Sequence, residues 1–490
     1  MDEALDALTA LDPVVNPTSK AAIRAYDTSI TQHIGTLNGS AAEIRSAVLS
    51  HPEHLLKHID PSVHSIGFIF ILQIISEPTN AALSATHQVL LDGMLDFLLK
   101  FDPVQVRYVG QHLLSLLNQV ATGQVFPPSV AVKLLSTAIL RIDPTGSTFT
   151  STHLRLAQLA YQSNFIESAM PVIDRDILFY PNGPGSKENS VLCDPALAPA
   201  SFVTTQTGLT DKINATTVLE YNYLRGLIYM SRRDWGKAVA AFEQAISHPL
   251  KDRTTSRIML DSYKRWVLVG LLDTGEAPTA PSYTSASANS TYKATAKPYN
   301  IVAELFSTAE AEKLKEQIEE NAQTWEEDGT VTLLAEILAA YQKWQIIRLG
   351  GIYQHVDITH VRESTLSAET GRPLENDDAV VALISQMIES GMLAGQIEQH
   401  ENSTYLSFRQ DSDMISEMEF ARQLAQSHHN IETLGKQYRQ MNDQLSGSKE
   451  YVKHLVREQR RGDKGVADAG IGFDSQIEDE DLMNDDTLLA

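Results

Sequence analysis

The chain has 490 residues, 43% of them hydrophobic and 7% aromatic, with a formal net charge of −23. That length exceeds what one core usually holds and calls for two or three domains. The acidic balance argues against polyanions and anionic membranes as partners of the whole surface, and Cys193, the single cysteine, excludes an intramolecular disulfide or a cysteine zinc cage and fits a reducing compartment.

The opening MDEALDALTALDP is acidic and lacks the basic start and apolar core of a secretion signal, so a soluble intracellular protein is expected. From Ala21 to Ile142 the pattern is a succession of amphipathic helices, expected at 41–49, 65–75, 81–101, 104–120 and 129–140. Pro52, Pro61, Pro78, Pro103 and the pair Pro127-Pro128 fall between them, where helices begin or break. The apolar run 66–75 is too short to span a membrane and reads as a buried helix. No run alternates long enough for a sheet, so this half is expected to be an α-solenoid of stacked helix pairs.

His51, His54, His58 and His64 form the one histidine cluster. His54 and His58 share a helix face, but Pro52 and Pro61 interrupt the helix and no carboxylate stands at ligand spacing, so solvated or capping histidines are the expectation, not a metal site.

A repeat signal follows. Gly226, Tyr229, Ala238, Phe242 and Ala245 fit the offsets at which a tetratricopeptide unit closes two antiparallel helices, with Asp234-Trp235 at the turn. Ala157, Ala160, Ala169 and Ile173 fit the same spacing more loosely, and together the two units predict a divergent repeat array with a concave surface for proteins or peptides. Residues 180–214, rich in Pro, Gly, Ser and Thr, read as a long loop. Residues 273–300, dominated by Ser, Thr, Ala and Pro, read as an exposed low-complexity stretch, and helix returns at 301–327.

From Thr330 the pattern becomes compact. Leu334, Ile337, Leu338, Tyr341 and Trp344 stand at helical spacing, and Gly350-Gly351 is expected to stop that helix through positive φ. A short strand at 352–356 and a brief helix at 358–365 capped by Asp357 follow. Asn376 and Asp377 open a further helix with Val380, Val381, Ile384, Met387 and Ile388 on its apolar face, ended by Gly391. Residues 392–397 and 404–408 read as two strands around a polar turn, 398–403. This order is a winged helix. Its second helix carries no Lys or Arg and does carry Asp377, Asp378 and Glu389, so it would repel a duplex. Protein docking through the edge of the hairpin, with Tyr405 and Phe408 as interface residues, is the expectation.

Beyond Asp411, Leu424, Ile431, Tyr438, Leu445 and Val452 recur every seven residues. Phe420, Leu434, Met441 and Leu455 fill the companion positions, with Ser427 and Ser448 as weak links and Gly435 and Gly447 as soft points. Such a seam packs either on the winged helix or in a bundle with helices of other chains, and its narrow stripe favours the bundle. From Gly462 periodicity ends, and 474–486 holds seven carboxylates and no base, as in disordered acidic tails. The organisation expected is helical repeats over 1–215, a repeat-like part over 216–328, the winged helix over 329–411, the heptad helix over 412–461 and the tail over 462–490.

Enzyme signatures are missing: the chain has no H-E-x-x-H, no two histidines separated by a single residue, no phosphate-binding G-x-x-x-x-G-K-S/T and no G-x-S-x-G. Cys193 stands in a Pro-rich loop without an adjacent base.

Helical repeats that lead into a winged helix and then a bundling helix resemble the PCI family. The resemblance is carried by Tyr221 to Gly275, with its FEQAIS-P core and IMLDSYKRWVLVGLL, by MIESGMLAGQI at Met387 to Ile397, and by His64-Ser65-Ile66-Gly67. That family scaffolds the proteasome lid, the COP9 signalosome and a translation initiation factor. The resemblance implies a non-catalytic, cofactor-free scaffold of the signalosome, which removes Nedd8 from cullins, in both cytoplasm and nucleus. Its implied partners are the other PCI and MPN subunits and, through the complex, cullin-RING ligases. A proteasome lid subunit and a nucleic-acid-binding winged helix are the alternatives.

Overall fold

A computed structural model describes residues 2–11, 19–76, 87–181, 191–249, 254–400, 403–408 and 417–446. Met1–Gln410 and Asp411–Ala490 are two compact units, taken here in turn.

Proline and capping residues set where the N-terminal helices begin. After α1 (Asp2–Thr9), Ser19 accepts from the Ala22 N–H and starts α2 (Lys20–Gly39). Helix α3 (Ala41–Ser50) follows, and Pro52 opens α4 (Pro52–His58), where its missing N–H has no intrahelical role. Helix α5 (Ser65–Ser76) is apolar nearly all round and is the buried helix expected from its sequence. A Cβ on Gly67 would lie 2.3 Å from the Leu8 carbonyl oxygen, so only glycine lets α1 cross there. Ser65 beside it donates to the Pro61 carbonyl at 2.6 Å and accepts from the Asp102 N–H at 2.7 Å. The segment His64 to Gly67 thus serves packing.

Next come α6 (His87–Lys100), α7 (Gly110–Ala121) and α8 (Pro128–Ile142). The helix expected over 104–120 is broken: Gln105–Arg107 form a 3-10 turn, and α7 starts only at Gly110. There a Cβ would lie 2.3 Å from the Thr207 carbonyl oxygen, because the 191–214 loop packs against the start of α7. That loop contains α11 (Pro199–Phe202) and buries Cys193, Phe202, Val203 and Leu209. Arg107 lies 3.8 Å over the Phe202 ring and donates to the Leu192 and Asp194 carbonyls.

The loose repeat pairs α9 (Ser151–Ser163) with a B-helix of one turn, α10 (Met170–Ile173); Ala157, Ala160, Ala169 and Ile173 are fully buried. The good repeat pairs α12 (Ala215–Ser231) with α13 (Trp235–Ile246), capped by Asp234. A Cβ on Gly226 would stand 2.4 Å from the Phe242 ring, the close approach that the sequence spacing called for. Tyr229, on the same face, donates to the Ile173 carbonyl at 3.0 Å and so ties the two repeats.

Helix α14 (Arg257–Thr274) ends at Gly275, whose φ of +74° and contact with the Trp344 ring both exclude a side chain. The stretch 273–300, expected to be exposed, instead forms α15 (Ala286–Thr295) and enters α16 (Lys297–Phe306). Ala288, Tyr292 and Ala296 are fully buried at a spacing of four, and Tyr292 stacks on Tyr263 at 4.6 Å and donates to the Ile246 carbonyl. Small side chains here permit close helix packing. Their low complexity concealed a helical stripe. Helices α17 (Ala311–Glu320), α18 (Ala322–Asp328) and α19 (Val331–Leu349) complete the all-helical part, whose hydrophobic core runs without interruption from Leu8 to Ala368.

A second, smaller core belongs to the winged helix. It gathers Ile346, Val356, Ile358, Val361, Val380, Ile384, Met387, Leu393 and Leu406 from the end of α19, β1 (His355–Asp357), α20 (Ile358–Ser364), α21 (Asp377–Glu389), β2 (Gly395–His400) and β3 (Ser403–Phe408). The other unit contributes α22 (Glu417–Ser446). The molecule is therefore mostly helical: a solenoid of helical repeats, a winged helix, and a long C-terminal helix.

Candidate docking surface

Asp357 and Asn376 place the two short helices of the winged helix. The Asp357 carboxylate accepts from the Thr359 N–H at 3.0 Å, and the Asn376 side chain accepts from the Ala379 N–H at 3.1 Å. Val380, Ile384 and Met387 of α21 face inward, and Val381 and Ile388 pack beside them. Asp378, Ala382, Gln386 and Glu389 occupy its exposed face, which holds no cation. Gly391, at φ +74°, ends the helix as expected.

Two details of this module differ from the sequence expectation. Gly350 has φ −63°, in the right-handed region, so α19 does not stop through a left-handed glycine. Small size is what position 350 requires, since a Cβ would lie 2.8 Å from the Phe408 ring. The expected strand 352–356 shrinks to His355–Asp357, and β2 extends through Gln399 and His400, which pair with Thr404 and Ser403 and shorten the polar turn. Backbone pairing overrode the polar side chains.

The sheet order is β1-β3-β2, all antiparallel. Tyr405 therefore pairs with Asp357 on one side and Glu398 on the other. The expected edge pairing through Tyr405 and Phe408 is not available, because β3 is the central strand. Leu406 between Val356 and Ile397 is fully buried, and Phe408 packs on the same core. Among the described residues β1 and β2 are the outer strands of the sheet. The sequence signalled a short strand before Asp357 but not its pairing with β3, because so short a run carries almost no register information.

Helix α22, described by itself, presents Phe420, Leu424, Ile431, Leu434 and Tyr438, each between 58 and 72% exposed. It runs through Gly435 unbroken, and Glu432 and Lys436 pair at 2.9 Å along its polar side. Met441 and Leu445 fall within the helix, but their side chains lie outside the described residues, as do Val452, Leu455 and the acidic tail. Along this seam a single helix exposes a continuous run of apolar side chains.

Among the described residues no three His, Cys, Asp or Glu side chains converge on a metal position. His54 and His58 stack on one another at 3.9 Å, and His58 Nδ1 lies 2.8 Å from the His54 carbonyl. Cys193 is buried and donates to the Ile23 carbonyl at 3.2 Å, and burial pushes its thiol above the usual range. No helix among the described residues is long and apolar enough to cross a membrane.

Comparison with known proteins identifies the assembly. Residues 28–288 match the family model described as COP9 signalosome complex subunit 3, N-terminal helical repeats. The chain is 33% identical to COP9 signalosome complex subunit 3 of Neurospora crassa over 99% of both chains. It is 28% identical to the Emericella nidulans protein of the same name, over 88% of this chain and 89% of that one. These matches favour the signalosome over the proteasome lid and over nucleic-acid binding, in keeping with an exposed α21 face that lacks cations: the chain belongs to the family of COP9 signalosome complex subunit 3.

Proposed function

We propose that this signalosome subunit is a non-catalytic scaffold, which holds companion subunits through the α22 seam and the outer strands of its winged-helix sheet. The observation that carries this reading is the exposure of Phe420, Leu424, Ile431, Leu434 and Tyr438 on one long helix, whereas the repeat-spaced Ala157, Ala160, Tyr229, Ala238, Phe242 and Ala245 are buried. The partners are the other PCI and MPN subunits and, through the complex, cullin-RING ligases; the site of action is nucleus and cytoplasm. The assembly removes Nedd8 from cullins, and its isopeptidase zinc site belongs to another subunit. The functional division keeps the repeats (1–215 and 216–328), the winged helix (329–411), the bundling helix (412–461) and the tail (462–490) as separate parts.

Affinity purification of the tagged chain, with identification of what co-purifies, tests the assembly. Signalosome subunits are expected, and recovery of proteasome lid subunits in their place would sink the reading. Purified protein alone is expected to leave a cullin–Nedd8 conjugate intact with or without zinc; zinc-dependent cleavage would contradict the scaffold role.

A further inference from the structure

Helix α19 takes part in both hydrophobic cores of the first unit. Its first half, through Leu333, Leu334, Ile337 and Tyr341, belongs to the solenoid core, and Ile346, near its end, belongs to the core of the winged helix. A shared helix becomes a hinge only if one end can swing. Here polar ties hold both ends.

Just ahead of α19, at the last residue of α18, the Lys264 ammonium lies 2.7 Å from both oxygens of Asp328, and the two side chains are only 13 and 17% exposed. Tyr299 donates to the same carboxylate at 2.7 Å, and Arg265 donates to the Asp328 carbonyl at 2.7 Å. In the middle, Tyr341 donates to the Thr308 carbonyl at 2.6 Å. Toward the end, the Arg348 guanidinium donates to the Gly275 carbonyl at 2.7 Å and, more weakly, to the Phe306 and Ser307 carbonyls. One side chain thus gathers the C-termini of α14 and α16, where carbonyls lack intrahelical donors.

A second connection runs beside the first. The segment after α20 returns to the solenoid: Ala368 is fully buried in the solenoid core, and Lys315 of α17 donates to the Glu369 carbonyl at 2.9 Å. Gln345 of α19 accepts from the Leu366 N–H at 2.8 Å, which clips that segment to the shaft. Two chain crossings, the second anchored by the buried Ala368, leave no free axis of rotation.

From this geometry we infer that the solenoid and the winged helix form one rigid lever with α19 as its shaft, so that a load on the N-terminal repeats reaches the sheet edges without an elbow between them. The inference goes beyond scaffolding, since a scaffold with a flexible elbow would serve equally well to hold partners.

The test uses the full chain with Cys193→Ser and spin labels on cysteines introduced at Leu99 and Ile352, both exposed. Pulsed electron resonance is expected to give one narrow distance distribution, and adding Lys264→Met with Arg348→Ala is expected to broaden it while helicity is retained. A broad or two-peaked distribution before those changes, or an unchanged narrow one after them, overturns the inference. Should the doubly changed chain lose helicity, amide exchange of the unaltered chain decides. Equal protection in the two halves of α19 supports the lever, whereas earlier opening of the half near Ile346 refutes it.

Discussion

The α12–α13 repeat and helix α22 are built from the same residue types at regular helical spacings, yet their apolar side chains have opposite fates. Phe242 and Tyr229 are buried against a glycine and a neighbouring repeat, whereas Ile431 and Tyr438 stand in solvent. Periodicity announces an apolar stripe in both. What differs is whether, among the described residues, a matching surface covers the stripe. In the repeat it does, because Gly226 removes the side chain that would block Phe242. A buried stripe supports the fold of its own chain; an exposed one is available to a partner.

Substitutions in the two regions sharpen this contrast, and the largest effect on stability is expected in the repeat. Phe242→Ala leaves a cavity in a closed core and should cost about 3–5 kcal/mol, read as a shifted urea midpoint by circular dichroism. A loss below about 1 kcal/mol would mean that the repeat is not the tightly closed unit described.

The second expectation concerns pH. His153 is fully buried, and desolvation pushes its pKa down to about 4 from the ordinary 6.5. Its Nδ1 faces the Thr150 N–H at 3.1 Å and the Thr150 hydroxyl at 2.8 Å. Between those two pKa values the unfolded chain binds a proton that the folded chain refuses. Stability is therefore complete near neutrality and falls as pH drops from 6.5 toward 4, by about 3 kcal/mol for this group. Burial lowers His33, His112 and His248 in the same direction. Urea midpoints across that range should show the slope, and His153→Gln should flatten it. A slope unaltered by that change would remove His153 as its source.

A smaller loss is expected at the winged helix. Gly350→Ala places a methyl against the Phe408 ring and should cost about 1–3 kcal/mol through overpacking. Thermal melting is a sufficient readout. If the melting point holds, the Phe408 ring moves aside freely and packing does not explain the glycine.

The smallest effect on stability belongs to α22. Leu424→Asp together with Ile431→Asp alters two exposed side chains and should leave the chain's unfolding within about 0.5 kcal/mol of the parent. The same pair should abolish co-purification of companion subunits, because charges would be buried unpaired in a bundle. Unfolding of the chain by these changes would assign the seam to its own core. Undiminished assembly would leave it without a role in docking.

Much of this molecule was legible in the sequence, because short-range rules determined it. Capping by Asp357 and Asn376, the proline starts of α4 and α8, the glycine–aromatic spacing of the repeat and the cation-free second helix all depend on near neighbours. The heptad spacing of Phe420 to Tyr438 was readable for the same reason. Tertiary structure decided what depends on residues far away along the chain. The Ser/Thr/Ala stretch became helix because Ala288, Tyr292 and Ala296 found a groove against α13 and α14, although its composition resembles a linker. Tyr405 fell in a central strand because a three-residue segment nearly fifty residues earlier pairs with it. Position 350 takes glycine because Phe408 arrives there from the far end of the module. Local periodicity records which faces of a helix are apolar, but the partner of each face is set by long-range packing, which one segment read by itself does not encode.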